Sequence, residues 1–154
     1  MVFALASVLL AACAQQETGE TEDTAVMEDT TAVTPEAAGI SLAEVAGTWA
    51  VVARSETGQA VPPFQLIATT EPSGWELRFP DRDPIELRVV EVAGDSIVTE
   101  AGPYDSVLRP GVQVTTRAVY RLEGDRLIGT TEAHYATAEA DSVVIVRSEG
   151  TRTP

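Results

Sequence analysis

From Gly47 onward the apolar residues of this chain recur with a period of two, and that alternation limits what the chain can fold into more than any other feature. Trp49, Val51 and Ala53 alternate with Ala50, Val52 and Arg54. Trp75, Leu77 and Phe79 alternate with Glu76 and Arg78, and Val112, Val114, Thr116, Ala118 and Tyr120 with Gln113, Thr115, Arg117 and Arg121. Successive side chains of a strand point to opposite faces, so each run predicts a strand with one apolar and one wet face.

Turn signals separate the runs: Glu71-Pro72-Ser73-Gly74, Gly94-Asp95, Arg109-Pro110-Gly111, Gly124-Asp125 and the looser Ala136 to Asp141. Spacing of about 8 to 12 residues between turns marks an all-β sandwich or barrel and excludes βαβ units. The pattern predicts nine antiparallel strands: Gly47 to Arg54, Phe64 to Thr70, Gly74 to Phe79, Ile85 to Val92, Ser96 to Ala101, Tyr104 to Leu108, Val112 to Leu122, Arg126 to Tyr135 and Ser142 to Glu149. A flat meander of that many strands would expose edges or split, so closure into a small barrel of eight or nine strands is expected. Val92 to Glu100 echoes Leu122 to Glu132, each a Gly-Asp turn feeding a strand, which reads as repeated hairpin chemistry. Only Leu42 to Ala46, with Ser41 as N-cap, predicts a helical turn.

Gly47-Thr48-Trp49, opening the first strand after that turn, resembles the Gly-x-Trp that begins the barrel of lipocalins and their calycin relatives. The resemblance implies a barrel in which Trp49 plugs the closed end and an Arg after the last strand packs across its ring. Arg152, or else Arg147, would fill that role, by a cation–π contact of about 0.5 to 2 kcal/mol. The Thr-Asp-Tyr motif of that family is not visible, and the domain is shorter than a typical lipocalin, departures that bear on the open ligand cup more than on the barrel. The reading from packing alone makes Trp49 a large core residue of a first strand.

The N-terminal end carries a different signal. Val2 to Leu10 is an apolar run of signal-peptide length, well short of the roughly 20 residues of a membrane-spanning helix. It ends in Leu10-Ala11-Ala12-Cys13, which resembles the lipobox of bacterial lipoprotein precursors. The resemblance implies removal of residues 1–12 as a signal peptide and acylation of Cys13. With about 0.8 kcal/mol for each buried CH₂ and more than one chain, such an anchor holds stably. No Lys or Arg precedes the apolar run, which points to a start codon upstream of Met1. Ala14 stands where an Asp marks inner-membrane retention in enteric bacteria, so the expected address is the outer membrane. The alternative is an ordinary secreted protein in which Cys13 is incidental.

Residues 13–39 form the expected linker: Glu, Asp, Thr, Ala and Gln dominate, without an aromatic or basic residue. Such a stretch buries too little apolar surface to offset the entropy of ordering it, and its like charges extend it. The reading is a disordered acidic spacer between membrane and barrel, the barrel domain spanning residues 40–154. Recruitment of a basic partner or cations by the acidic run is the less favoured alternative. The whole chain carries a formal net charge of −14, every basic residue is Arg, and all of them lie beyond the linker, so nucleic acid is excluded as a partner on electrostatic grounds. With Cys13 acylated, the only cysteine, no disulfide is available.

No catalytic set is recognisable. His134, the sole histidine, has no second His or Cys with metal-ligand spacing and reads as a strand-surface or rim residue. The neighbourhood of Ser106 lacks a Gly-x-Ser-x-Gly elbow. Asp81-Arg82-Asp83-Pro84 reads as a polar turn in preference to a cation site. Gly102 to Gly111 reads as a short strand between two turns, with Tyr104 and Arg109 as ligand contacts on a barrel rim in the functional alternative. No metal and no cofactor is expected.

Two functions follow. The first is a non-catalytic binding module holding a small apolar or amphipathic ligand, with Trp75, Phe79, Tyr104 and Tyr120 as candidate lining residues above a floor of Gly47, Trp49 and Arg152. The second is a structural or protein-interaction lipoprotein whose barrel is filled by its own side chains, its protein partner unknown. An enzyme ranks third. Replacing Cys13 by Ser is expected to release the protein from the membrane fraction into the soluble fraction on cell fractionation; retention in the membrane would remove the anchor.

Overall fold

The computed structural model describes residues 39–137 and 142–154, so the predicted signal peptide, Cys13, most of the acidic linker and part of the Ala136 to Asp141 turn lie outside the described residues. A single-turn helix α1 (Leu42–Val45) precedes eight strands: β1 (Gly47–Ser55), β2 (Ala60–Ala68), β3 (Trp75–Arg78), β4 (Ile85–Ala93), β5 (Ser96–Asp105), β6 (Gln113–Glu123), β7 (Arg126–Tyr135) and β8 (Val143–Arg152). Each pairs antiparallel with the next, and β8 pairs with β1, so the meander closes into a barrel. The all-β class and the closed meander stand as the alternation implied.

Eight strands replace the nine expected, because Ser96 to Ala101 and Tyr104 to Leu108 are not separate strands. Their pairing with β6 slips between Ala101 and Tyr104 and then resumes as Tyr104↔Val114. Gly102 adopts φ +107, a region other residues enter at a cost, and Pro103 has no N–H for the ladder, so the pair makes a bulge and the strand continues past it. The chain leaves β5 at Ser106, whose hydroxyl accepts the N–H groups of Leu108 (3.1 Å) and Arg109 (3.0 Å) and bends the backbone into a turn.

A second difference has the same origin. The strand expected from Phe64 begins at Ala60, with Pro62 and Pro63 inside it. Val51 pairs with Phe64 and Ala53 with Val61, so the two prolines oppose the single residue Val52 across a bulge, one of the few places in a sheet that tolerates missing donors. Val52 is accordingly 62% exposed.

The apolar faces turn inward. Trp49, Trp75, Leu66, Ile97 and Leu127 are fully buried, together with Val45 from α1. Gly129, opposite Tyr120 on the neighbouring strand, has no room for a side chain: a Cβ there would lie 2.8 Å from the Tyr120 ring. The outer face carries charge instead. Arg88 and Arg117 both bond Glu100, at 2.6 and 2.7 Å, Arg126 pairs with Glu149, and Arg147 with Glu56 at 3.0 Å. A membrane-spanning barrel has the opposite polarity, apolar outside and polar within.

Burial pushes the Tyr120 phenol far above its ordinary value of 10.0, reinforced by the nearby Tyr104, and burial also raises Tyr104. A raised acid stabilises the fold fully below its unfolded value, and that contribution is lost as pH climbs from about 10 toward the folded value. Stability to denaturant is therefore expected to hold up to about pH 10 and to fall above it, and Tyr120→Phe to flatten the fall. Equal alkaline sensitivity in the variant would show that Tyr120 titrates as if exposed.

Candidate functional site

The closed end is built first. Ser41 caps α1 through its hydroxyl, which accepts the Glu44 N–H at 3.3 Å, while the Glu44 carboxylate accepts the Ser41 N–H at 2.8 Å. The Ser41 hydroxyl also donates to the Glu44 carboxylate at 2.7 Å, and this bond, followed by the one from the Ser41 N–H, holds the Glu44 carboxyl below its usual range. The chain then enters β1 through Gly47 at φ +142. Trp49 lies beneath the helix, fully buried, its indole N–H donated to the Val45 carbonyl at 2.9 Å.

Arg152, the last residue of β8, packs over this indole with its guanidinium carbon 4.3 Å from the ring. It also donates to the carbonyls of Ala46 and of Glu44, the latter at 2.7 Å, so it closes off the helix C-terminus, where carbonyls lack partners. Gly47 is needed for this approach, since a Cβ there would sit 2.6 Å from Arg152 Nη1. Gly47, Trp49 and Arg152 are thus brought together at the floor. Arg147 is directed to Glu56 on the outer surface.

Trp75 joins the floor as well. Its indole N–H donates to the carbonyls of Thr69 and Glu71, each at 3.1 Å, tying the β2–β3 loop across this end. Fully buried there, it does not line the cavity above, whereas Phe79, Tyr104 and Tyr120, expected beside it as lining residues, do.

Between floor and mouth lies an interior cavity of about 70 Å³, lined by Phe64, Phe79, Tyr104, Tyr120 and Tyr135 and by small residues such as Ala118. Phe64 and Phe79 stack tilted at 4.9 Å between centroids. Val107 and Leu108 cover the cavity from the mouth, and the Arg109 guanidinium beside them lies 4.3 Å from the Tyr135 ring centroid. A water occupies about 10–15 Å³ on this measure, so the space takes a few waters or a small apolar group. Sites that enclose a drug-sized ligand run to about 300–1,000 Å³.

A larger feature lies outside the wall. β4 pairs with β5 only from Arg88 to Ala93, while Ile85 to Leu87 pair only with β3. The two strands part where Gly102 and Pro103 bulge, leaving an open groove of about 1150 Å³. Tyr104 and Thr116 line both groove and cavity, so they form the partition between them. Arg82, on the β3–β4 loop, reaches over this partition, its guanidinium carbon 6.0 Å from the Phe79 centroid and 5.9 Å from that of Tyr104. Sequence reasoning passed over Arg82 as one residue of a polar turn, and nothing in a single sequence separates it from the other surface arginines.

His134 is exposed and its Nε2 lies 2.7 Å from a Glu132 carboxylate oxygen. Ser106 is committed to its turn, and Asp105 accepts a hydrogen bond from Gln113. Among the described residues, no group of three or more His, Cys, Asp or Glu side chains is arranged to hold a metal ion.

No protein-family model matches the chain, and comparison with curated proteins and with solved structures finds no match.

Trp49→Ala is expected to cost about 3 to 5 kcal/mol in chemical denaturation, as removal of a fully buried large side chain does. A loss below about 1 kcal/mol would mean that the indole does not support the floor.

Proposed function

We propose that this chain is a bacterial envelope lipoprotein, acylated at Cys13 and anchored in the outer membrane through an acidic spacer. Its lipocalin-like barrel binds one small apolar or amphipathic ligand without chemical conversion. The observation that carries the binding half of this reading is the cavity above the Trp49 floor, mostly apolar, with a few hydroxyls from Thr116, Thr131 and Ser148. That composition is the one small-molecule sites share. The lipid anchor rests on Leu10-Ala11-Ala12-Cys13 alone.

Size limits the ligand. At about 70 Å³ the cavity is near half the roughly 150 Å³ that admits benzene in an engineered apolar core, so a long acyl chain has no place in this conformation. The enclosed part of a ligand is a short alkyl group or a similar tip, the rest lying in the mouth or the outer groove. The same figure favours a second reading, a side-chain-filled barrel that acts through its outer surface on a protein partner.

The two are separated by native mass spectrometry and solvent extraction of protein purified from its own membranes. One small molecule retained in stoichiometric amount is the expected result. A barrel that is empty in every preparation rejects the binding module and leaves the interaction protein.

A further inference from the structure

Arg82 is placed unlike the other arginines described in the groove. Arg88 and Arg117 share Glu100 as an ion-pair partner, at 2.6 and 2.7 Å, and Arg117 also pairs with Glu91 at 3.8 Å. Arg82 is flanked in sequence by Asp81 and Asp83, yet neither forms an ion pair with it. Its Nη1 is shut off from solvent and finds no hydrogen-bond acceptor among the described residues. The aromatic contacts, at 6.0 and 5.9 Å, lie at the outer limit of a useful cation–π distance and provide no acceptor in the plane of the guanidinium. The residue as a whole is half-buried and lines the open groove, so its guanidinium presents there a charge that no described carboxylate pairs with.

We infer that Arg82 is the anion-recognition residue of a ligand site at the parted β4–β5 wall, and that the ligand is a small amphipathic carboxylate. The carboxylate accepts from the part of the Arg82 guanidinium that lines the groove, and the apolar part packs on Tyr104, which lines both groove and cavity. This inference rests on the binding reading above and specifies the chemical class of the ligand. A guanidinium presents paired donors whose geometry matches a carboxylate, which makes it a better partner here than a neutral polar group. Asp83, Glu86 and Asp105 also line the groove, but all three are exposed, so water screens their repulsion, and Glu100 is paired with Arg88 and Arg117. The net charge of −14 opposes an anion at long range, and salt confines that effect to about 8–10 Å.

The test uses the full chain, with hexanoate and its uncharged counterpart hexanamide as probes, followed by NMR titration of the Phe79 and Tyr104 ring resonances. Hexanoate is expected to bind about ten- to a hundredfold more tightly than hexanamide, the range for a hydrogen bond to a charged group. Arg82→Gln should erase that preference by weakening hexanoate far more than hexanamide, and Arg82→Lys should keep part of it. Retained hexanamide binding in Arg82→Gln certifies the fold of the variant. Equal affinities in the native protein, or full hexanoate affinity in Arg82→Gln, overturn the anion site and leave the binding module intact. Failure of both probes to bind overturns the anion site too, and the binding module is then judged separately by what the purified protein retains.

Discussion

Everything in this molecule depends on β8 finding β1. An antiparallel meander keeps two free edges until its last strand returns to its first, and free edges recruit other chains. Here the return runs from Trp49↔Arg152 to Ser55↔Val146 and continues past the strand, where the Thr153 N–H donates to the Thr48 carbonyl at 2.8 Å. Arg152 reinforces the closure from its side chain. It covers the Trp49 indole and ties down the carbonyls of α1, a helix of four residues too short to persist on hydrogen bonds of its own. The surface ion pairs elsewhere on the barrel, each worth about 0 to 1 kcal/mol, are minor beside this arrangement.

Once the ring is closed at eight strands, its interior is only wide enough for side chains or one small ligand. The floor uses bulk, with Trp49 and Trp75 fully buried. Toward the mouth, small residues (Ala53, Ala118, Ala133, Ser148) face the aromatics Phe64, Phe79, Tyr104, Tyr120 and Tyr135. Gly129 gives up its side chain to the Tyr120 ring. The remaining space of about 70 Å³ is what this distribution leaves, and it sets the scale of any enclosed ligand.

Much of the fold was legible in the sequence because the signals involved are local. Period two, Gly-Asp hairpin turns and the Ser41 cap depend on a few neighbouring residues, and they located all eight strands and the helix. The errors came where a local rule was overridden across strands. The predicted second strand begins only after Pro62-Pro63, and Gly102-Pro103 falls between two predicted strands, yet each pair sits at a register shift in which the partner strand tolerates the missing donor. At the site, Gly47, Trp49 and Arg152 were legible through a motif, since residues at opposite ends of a domain meet only if the ring closes. Trp75, expected as a lining residue, lies outside the cavity lining, because alternation tells which face a side chain takes and not how far along the axis it lies. Arg82 was not legible at all, since its distinction is the absence of a partner, a property of the folded surroundings.

The parted wall and the unpartnered arginine are connected through β3. This four-residue strand pairs with β2 through Gln65↔Arg78 to Ile67↔Glu76 and with β4 through Trp75↔Leu87 to Leu77↔Ile85, the shortest ladders in the barrel. Beyond Leu87 the ladder passes to β5, so Ile85 to Leu87 are held on one side only, and residues 79–84 before them lie in a loop outside the ladders. Regions with few backbone partners open at lower free energy than the rest of a fold. The place where this barrel yields most easily is therefore beside Tyr104, which stands between groove and cavity, and Arg82, which reaches over it. A ligand that satisfies Arg82 at that seam gains its hydrogen bond without disturbing the β1–β8 closure, which lies elsewhere in the ring.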